Sequence, residues 1–173
     1  MPGQEQTAKF RFDSLGSAHD RASFSCGVPA LDAYLQKQVG QDVRRRVAVA
    51  FVATPDGKTI AGYYTLSQYS IELGVLPEEL VRKLPKYPVV PATLIGRLAI
   101  STAFRGQGLG ELLLMDALDR CLKGSRHVAS AAVIVDAKDE KVAAFYRRYG
   151  FLDLPKVARR LFLPMATIET LFG

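Results

Sequence analysis

Apolar and polar residues alternate over 9–13, which predicts a first strand. After Gly27 and Pro29 the period changes. Leu31, Leu35 and Val39 recur every four residues with Tyr34 beside them, so a helix opened by Pro29 buries one face. Proline suits that first turn because its missing N–H would find no intrahelical acceptor there. Two β-rich runs follow, 47–53 and 59–66, and Pro55-Asp56-Gly57-Lys58 between them predicts a hairpin. Pro77 opens a short helix over 77–84, and the three prolines of 85–91 predict a loop. Residues 92–101 read as a buried strand interrupted by Gly96, the mark of a bulge or of a close backbone approach. Leu109, Leu112, Leu113, Ala117, Leu118, Cys121 and Leu122 form one helical stripe, with Gly124 as the expected C-cap. A buried strand over 128–135 precedes a helix over 139–149, capped by Asp139 and ended by Gly150. A strand over 159–164 and a short helix over 166–172 complete the pattern. This order implies α/β architecture, with hairpins and crossovers in a single domain spanning 1–173.

Composition narrows the classes. The 173 residues are 49% hydrophobic and 23% charged, which suits an ordinary globular domain and excludes disorder as the main state. No apolar run reaches the roughly 18–20 residues of a membrane span. The N-terminus has no apolar stretch of the kind a secretory leader carries, and Cys26 and Cys121 are isolated from each other. A cytoplasmic protein without a disulfide framework or a metal site is expected. Lys and Arg number 23 against 17 Asp and Glu, for a net charge of +6. The excess is uneven: residues 105–140 carry 5 basic and 6 acidic groups, whereas 141–173 carry 6 and 2. Lys37 and the run Arg44, Arg45, Arg46 form a second basic cluster. Such a balance permits an anionic partner.

The most informative stretch is Arg105-Gly106-Gln107-Gly108-Leu109-Gly110, between a strand and a helix. A glycine loop there bares backbone N–H groups at a helix N-terminus, which is an anion site. It lacks the Lys-Ser/Thr pair of a nucleoside-triphosphate loop, and Glu111 stands where a dinucleotide fingerprint needs its last glycine.

Arg105-x-x-Gly108-x-Gly110 resembles the pyrophosphate loop of the GNAT superfamily of N-acetyltransferases. Downstream, Asp139-x-x-x-Ala143-x-Phe145-Tyr146 and then Tyr149-Gly150-Phe151 extend that resemblance. It implies a single GNAT domain, with helices flanking a mixed sheet and a V-shaped split between two parallel strands that holds acetyl-CoA. Backbone groups of Leu98, Ala99 and Ile100 would hold the acetyl carbonyl and the pantetheine amides. The N–H groups of Arg105, Gly106, Gln107, Gly108, Leu109 and Gly110 would hold the pyrophosphate. Tyr146 would serve the leaving thiolate as acid or hydrogen-bond donor, and Tyr149 would pack. Gly96 would be the bulge that opens the split.

A narrower resemblance runs through Phe24-x-Cys26-Gly27, Leu31-Asp32-x-Tyr34-Leu35, Gly62-Tyr63-Tyr64-x-Leu66-Ser67, Leu94-Ile95-Gly96-Arg97-Leu98-Ala99, Val135-Asp136-Ala137-Lys138 and Leu161-Phe162-Leu163-Pro164-Met165. These look like the GNAT toxins of type II toxin–antitoxin systems. The resemblance implies acetylation of the α-amino group of aminoacyl-tRNA, a ribbon-helix-helix antitoxin, a homodimer, and operator DNA reached only through the antitoxin complex. Phosphate contacts would fall to Arg97, Arg147, Arg148, Arg44, Arg45 and Arg46. No general base stands out: His19 and His127 lie in no motif, Glu72 and Asp136 are weakly supported, and Cys26 has no His partner. Two alternatives stay open, a GNAT enzyme acting on a small-molecule or protein amine, and an antitoxin-binding co-repressor with incidental catalysis.

Overall fold

The structure is a computed structural model that describes residues 9–173, so the leader expectation, which falls on 1–8, lies outside the described residues. Seven strands form one sheet: β1 (Arg11–Ser14), β2 (Val49–Thr54), β3 (Gly62–Glu72), β4 (Val89–Ile100), β5 (Ala132–Asp136), β6 (Leu152–Asp153) and β7 (Arg160–Pro164). Their order across the sheet is β1-β2-β3-β4-β5-β7-β6. The helices are α1 (Pro29–Ala33), α2 (Val39–Arg44), α3 (Glu78–Val81), α4 (Leu109–Gly124), α5 (Glu140–Arg148) and α6 (Met165–Phe172). By its internal packing the chain falls into two compact units. One is the described part of Met1–Ser67 with Gly96–Ala117; the other is Gln68–Ile95 with Leu118–Gly173.

In the first unit β1, β2 and β3 form an antiparallel meander, with Arg11 opposite Thr54 and Ala53 opposite Gly62. The β2–β3 turn is held by the Asp56 carboxylate, which accepts the N–H groups of Lys58 and Thr59 at 2.9 and 2.7 Å. Those bonds hold the Asp56 carboxyl far below the usual carboxylate range. Phe24, Tyr34, Leu35, Val39, Val52, Ile60, Tyr63 and Ala99 build this unit's core. The expected single helix after Pro29 is two α segments joined by a π-helical turn, Tyr34–Gln38. Periodicity alone could not show the turn, because Tyr34 and Leu35 within it and Val39 just after it all stay buried.

At Gly62 the missing side chain has a structural reason. A Cβ there would stand 2.6 Å from Leu113 Cδ1 and 3.0 Å from the Ala99 carbonyl oxygen. The first turns of α4 therefore lie directly on β3, beside the end of β4, where Ser101 N–H donates to the Ala61 carbonyl at 2.8 Å.

In the second unit β4 and β5 are parallel, with register from Ala92↔Ala132 to Ile95↔Val135, and β4 continues to Ile100. β7 pairs antiparallel with β5 on one side and β6 on the other. Ile71, Val90, Ala92, Ile134, Leu154 and Phe162 centre this core.

Several expectations need correction. The 85–91 loop ends early, because β4 begins at Val89 and includes Pro91. Pro91 takes part through its carbonyl, which accepts Ala131 N–H at 2.8 Å, and that bond needs no donor from the proline. The strand expected over 59–66 starts at Gly62 and continues to Glu72, and the one expected over 128–135 starts only at Ala132. Gly124 is the last residue of α4 and has no left-handed φ. Gly96 shows the close approach: a Cβ would stand 2.9 Å from Thr65 Oγ1. The two-residue strand β6 is too short for a periodic signal.

Gly62→Ala is expected to destabilise the fold by about 1–3 kcal/mol, the cost of overpacking against a backbone carbonyl. Urea unfolding checks this, and an unchanged midpoint would show that α4 shifts freely on β3.

Candidate active site

The residues singled out by sequence divide between the two units. In the first unit, β4 ends in a short 3-10 turn, Thr102–Phe104, followed by the glycine loop and then α4. The loop is tied down from behind. Thr102 N–H donates to the Ser25 carbonyl at 2.8 Å, and Arg105 Nη2 donates to the Cys26 carbonyl at 2.6 Å. Gly27 permits the second contact, since a Cβ there would stand 3.0 Å from Arg105 Nη2. The Arg105 side chain thus braces the loop.

Gly106 and Gly108 adopt φ of 77° and 73°, the left-handed region where a Cβ is strained. Nothing lies within 4 Å of where a Gly106 Cβ would be, so its glycine serves backbone shape and leaves open space above it. Arg105 N–H is used by the Thr102 carbonyl at 3.4 Å. The N–H groups of Gly106, Gln107 and Gly108 meet no acceptor among the described residues. Leu109 and Gly110 open a 16-residue helix, where the first N–H groups have no intrahelical partner and the dipole is positive. Five consecutive donors at one helix end fit a diphosphate. Leu98, Ala99 and Ile100 are the last residues of β4, just before this turn.

Tyr146 belongs to the second unit. Asp139 caps α5, its carboxylate accepting Val142 N–H at 2.9 Å, and Ala143 and Tyr146 are the helix's buried residues. Gly150, at φ 94°, turns the chain back so that Phe151 N–H donates to the Tyr146 carbonyl at 3.3 Å. The Phe145 and Phe151 rings each lie 5.2 Å from the Tyr146 ring, and burial pushes its phenol well above the usual value. No hydrogen bond to Tyr146 Oη occurs among the described residues. No buried side-chain oxygen there is left without a partner, so Oη reaches accessible surface. The ring is fixed and its proton is retained and unengaged, which suits a donor awaiting an acceptor. Tyr149 packs its ring 5.1 Å from Phe145.

Two of the candidate bases, Asp136 and His19, are otherwise occupied. Asp136 receives two hydrogen bonds from Arg160, at 2.6 and 3.1 Å. His19 accepts Gly16 N–H on Nδ1 at 3.0 Å. Burial raises the Cys26 thiol above its usual value and keeps it protonated. No cluster of metal ligands occurs among the described residues, and no helix there is long and apolar enough to cross a membrane.

The acetyltransferase (GNAT) domain family matches residues 46–152, a stretch that includes both the glycine loop and Tyr146. The chain belongs to the GNAT acetyltransferase family. A probable toxin TacT of Sinorhizobium fredii is 34% identical over 163 residues, covering 90% of each chain. A tRNA-acetylating toxin of Mycobacterium tuberculosis is 33% identical over 159 residues, covering 92% of this chain and 94% of the other. Among solved structures, AtaT complexed with acetyl-methionyl-tRNAfMet matches with a TM-score of 0.88 at 29% identity, over 95% of this chain and 99% of that one. A tyrosine-to-phenylalanine mutant of KacT matches with the same TM-score and coverage at 30% identity. The GNAT chain resembles these proteins well beyond the family's shared region, through the N-terminal segment that braces its loop.

The GNAT chain's arginines are not equally available. Arg147 pairs with both Asp153, at 2.9 Å, and Glu140. Arg148 meets no carboxylate among the described residues and lies 5.9 Å from the Phe145 ring centre. Arg44, Arg45 and Arg46 are exposed at the end of α2. Arg46 holds φ 60° there, where its N–H donates to Val43 and Val47 N–H reaches back to Asp42. That is the Schellman ending, with arginine in the place glycine usually takes.

Because Tyr146 Oη has no partner to lose among the described residues, Tyr146→Phe is expected to change stability by less than about 0.5 kcal/mol. Thermal unfolding of the purified variant checks this, and a marked loss would mean that the phenol serves the fold.

Proposed function

We propose that the protein transfers the acetyl group of acetyl-CoA to the α-amino group of aminoacyl-tRNA, and that it acts as the toxin of a toxin–antitoxin pair in the cytoplasm. The observation that carries this reading is likeness over nearly the whole chain to a tRNA-acetylating toxin, together with AtaT complexed with acetyl-methionyl-tRNAfMet. AtaTR bound with AcCoA supports acetyl-CoA as the donor. AtaT bound to the C-terminus of the antitoxin AtaR, and the AtaT–AtaR complex bound to DNA, support an antitoxin partner with operator DNA reached through that complex. A ribbon-helix-helix antitoxin and a homodimer complete the proposal, as does one domain over 1–173.

The chemistry follows from the residues. Backbone groups of Leu98, Ala99 and Ile100 hold the thioester and pantetheine, and the N–H groups of 106–110 hold the diphosphate. The neutral amine attacks the thioester carbonyl, the new N–C bond forms, and the C–S bond breaks. Tyr146 donates a hydrogen bond to the departing thiolate. With the phenol raised above about 10 and an ordinary thiol near 8.5, full proton transfer to sulfur is uphill, so Tyr146 stabilises the charge by hydrogen bonding. An α-amino group titrates near 7.7–8.0, so a fraction is already neutral at pH 7 and gives its proton to water. That accords with the engagement of Asp136 and His19. Two tyrosine-to-phenylalanine mutants among the solved neighbours, of KacT and AtaT, support the role given to Tyr146. Phosphate contacts fall to Arg148, Arg97, Arg44, Arg45 and Arg46, while Arg147 braces α5 against β6.

Incubation with acetyl-CoA and a mixed pool of charged tRNAs, followed by mass spectrometry, is expected to show N-acetylated aminoacyl ester. Tyr146→Phe is expected to lower the rate about 10²–10⁴-fold. Full activity of that variant, or transfer to free amines alone, overturns the reading.

The rate is expected to rise with pH through the amine's titration and then to hold to about pH 10, because burial raises the phenol's pKa and preserves the donor. A pH–rate profile with an alkaline fall that is absent in Tyr146→Phe would contradict this. Arg148→Ala is expected to reduce the salt slope of tRNA binding by about 1 and Arg147→Ala to leave it unchanged. Fluorescence anisotropy over a salt series measures both.

A further inference from the structure

The Arg97 guanidinium sits over a buried ring. Its central carbon is 3.4 Å from the Tyr34 ring centre, and Tyr34 is 6% exposed. Both residues belong to the first unit. Tyr34 Oη donates to Asp42 Oδ2 at 2.8 Å, and Gln38 Nε2 donates to Asp42 Oδ1 at 3.0 Å. Burial and the Asp42 bond push the phenol up to about 12, while the Gln38 and Tyr34 bonds and the nearby Arg97 and Arg45 charges hold the Asp42 carboxyl below its usual value. Ring, carboxylate and amide form one brace, and every member is hydrogen-bonded.

The π-helical turn makes the brace possible. On a regular helix with about 3.6 residues per turn, positions 34 and 42 lie roughly 80° apart around the axis. The turn Tyr34–Gln38 is closed by Val39 N–H on the Tyr34 carbonyl and rotates less per residue. It brings Tyr34, Gln38 and Asp42 into one row. Turns of this kind are rare and occur frequently at functional sites.

Arg97 itself is left open. It is half-buried, it pairs with no carboxylate, and its N–H groups meet no acceptor among the described residues. A partly desolvated guanidinium with its fork of donors unused is a receptor for an oxyanion. Arg97 directly precedes Leu98–Ile100 on β4, so at about 3.3 Å per residue it lies roughly 7–10 Å along the strand from the far end of that segment. That is about one nucleotide's span.

We propose that Tyr34 is a positioning residue whose ring holds Arg97 as the receptor for the last phosphodiester of the tRNA acceptor strand. The proposal rests on aminoacyl-tRNA being the acceptor. The cation–ring contact keeps the planar guanidinium aimed, and Asp42 fixes the ring without an ion pair to the arginine.

Steady-state kinetics with aminoacyl-tRNA and acetyl-CoA varied separately test it. Tyr34→Leu is expected to raise KM for aminoacyl-tRNA about five- to tenfold, with kcat and KM for acetyl-CoA unchanged. Tyr34→Phe, which keeps the ring but loses the bond to Asp42, is expected to raise that KM by less than Tyr34→Leu does. Arg97→Ala combined with Tyr34→Leu should be no worse than Arg97→Ala alone, because the ring acts through the arginine. A fall in kcat, equal rises in both KM values, or additive losses in the double variant would overturn the proposal.

A second measurement needs neither Tyr34→Leu to fold nor the enzyme to turn over. In the wild type, the Arg97 Nε–H proton, identified by its absence in Arg97→Lys, should resonate upfield under the Tyr34 ring current. It should also shift on addition of an uncharged acceptor-stem minihelix. An unshifted resonance that ignores the RNA refutes the proposal. If the resonance responds but charged tRNA is not acetylated, the acetylation reading fails while the phosphate receptor stands.

Discussion

Close packing of α4 on β3 at Gly62 is the constraint on which the glycine loop and its surroundings in the first unit depend. No side chain separates helix from sheet there. Leu109 and Leu113 therefore reach the backbone, and the Ala99 carbonyl closes the other side. Because β4, the short turn and α4 are consecutive, fixing the first turns of α4 beside Ala99 also fixes the loop between them. The ties from Thr102 to Ser25 and from Arg105 to Cys26 anchor that loop to the segment before α1. What remains unsatisfied among the described residues is a row of backbone donors at a helix N-terminus, an arrangement that suits an anion.

The second unit solves a different problem, that of presenting a phenol without spending it. Burial of the Tyr146 ring between Phe145 and Phe151 raises the cost of ionising it. The absence of any acceptor among the described residues keeps its hydrogen available. Arg97 follows the same logic with a cation, being held by a ring face and in no ion pair among the described residues. In both cases an aromatic contact provides position while leaving the polar atoms free, which a hydrogen bond or an ion pair would not do.

Net charge alone is a poor guide to an RNA-facing surface. The segment 141–173 carries 6 basic and 2 acidic residues. Yet Arg147 is taken up by Glu140 and Asp153, Arg160 by Asp136 and Tyr69, and Lys156 donates to the Gly74 carbonyl. Glu140 and Asp136 lie outside the segment over which the excess was counted, so a running sum along the chain could not register them. Sequence-local charges become a field only after the fold has chosen their neighbours.

Much of this protein is legible without coordinates. The α4 stripe, the Asp139 cap, the Gly150 turn, the proline at the start of α1 and the hairpin around Asp56 depend on local backbone rules, and local rules are written in local sequence. So are the glycine loop and the tyrosine placed one turn before Gly-Phe, because each stands in a run of residue types at a fixed spacing. The π-helical turn, Pro91 within β4, the short strand β6, the close approach at Gly62, the unengaged Tyr146 hydroxyl and the division of arginines into paired and open depend on residues distant in sequence. Arg97 meets Tyr34 across some sixty positions, and Arg160 meets Tyr69 across about ninety. Periodicity and composition carry no information at that separation, and only packing determines which side chains meet.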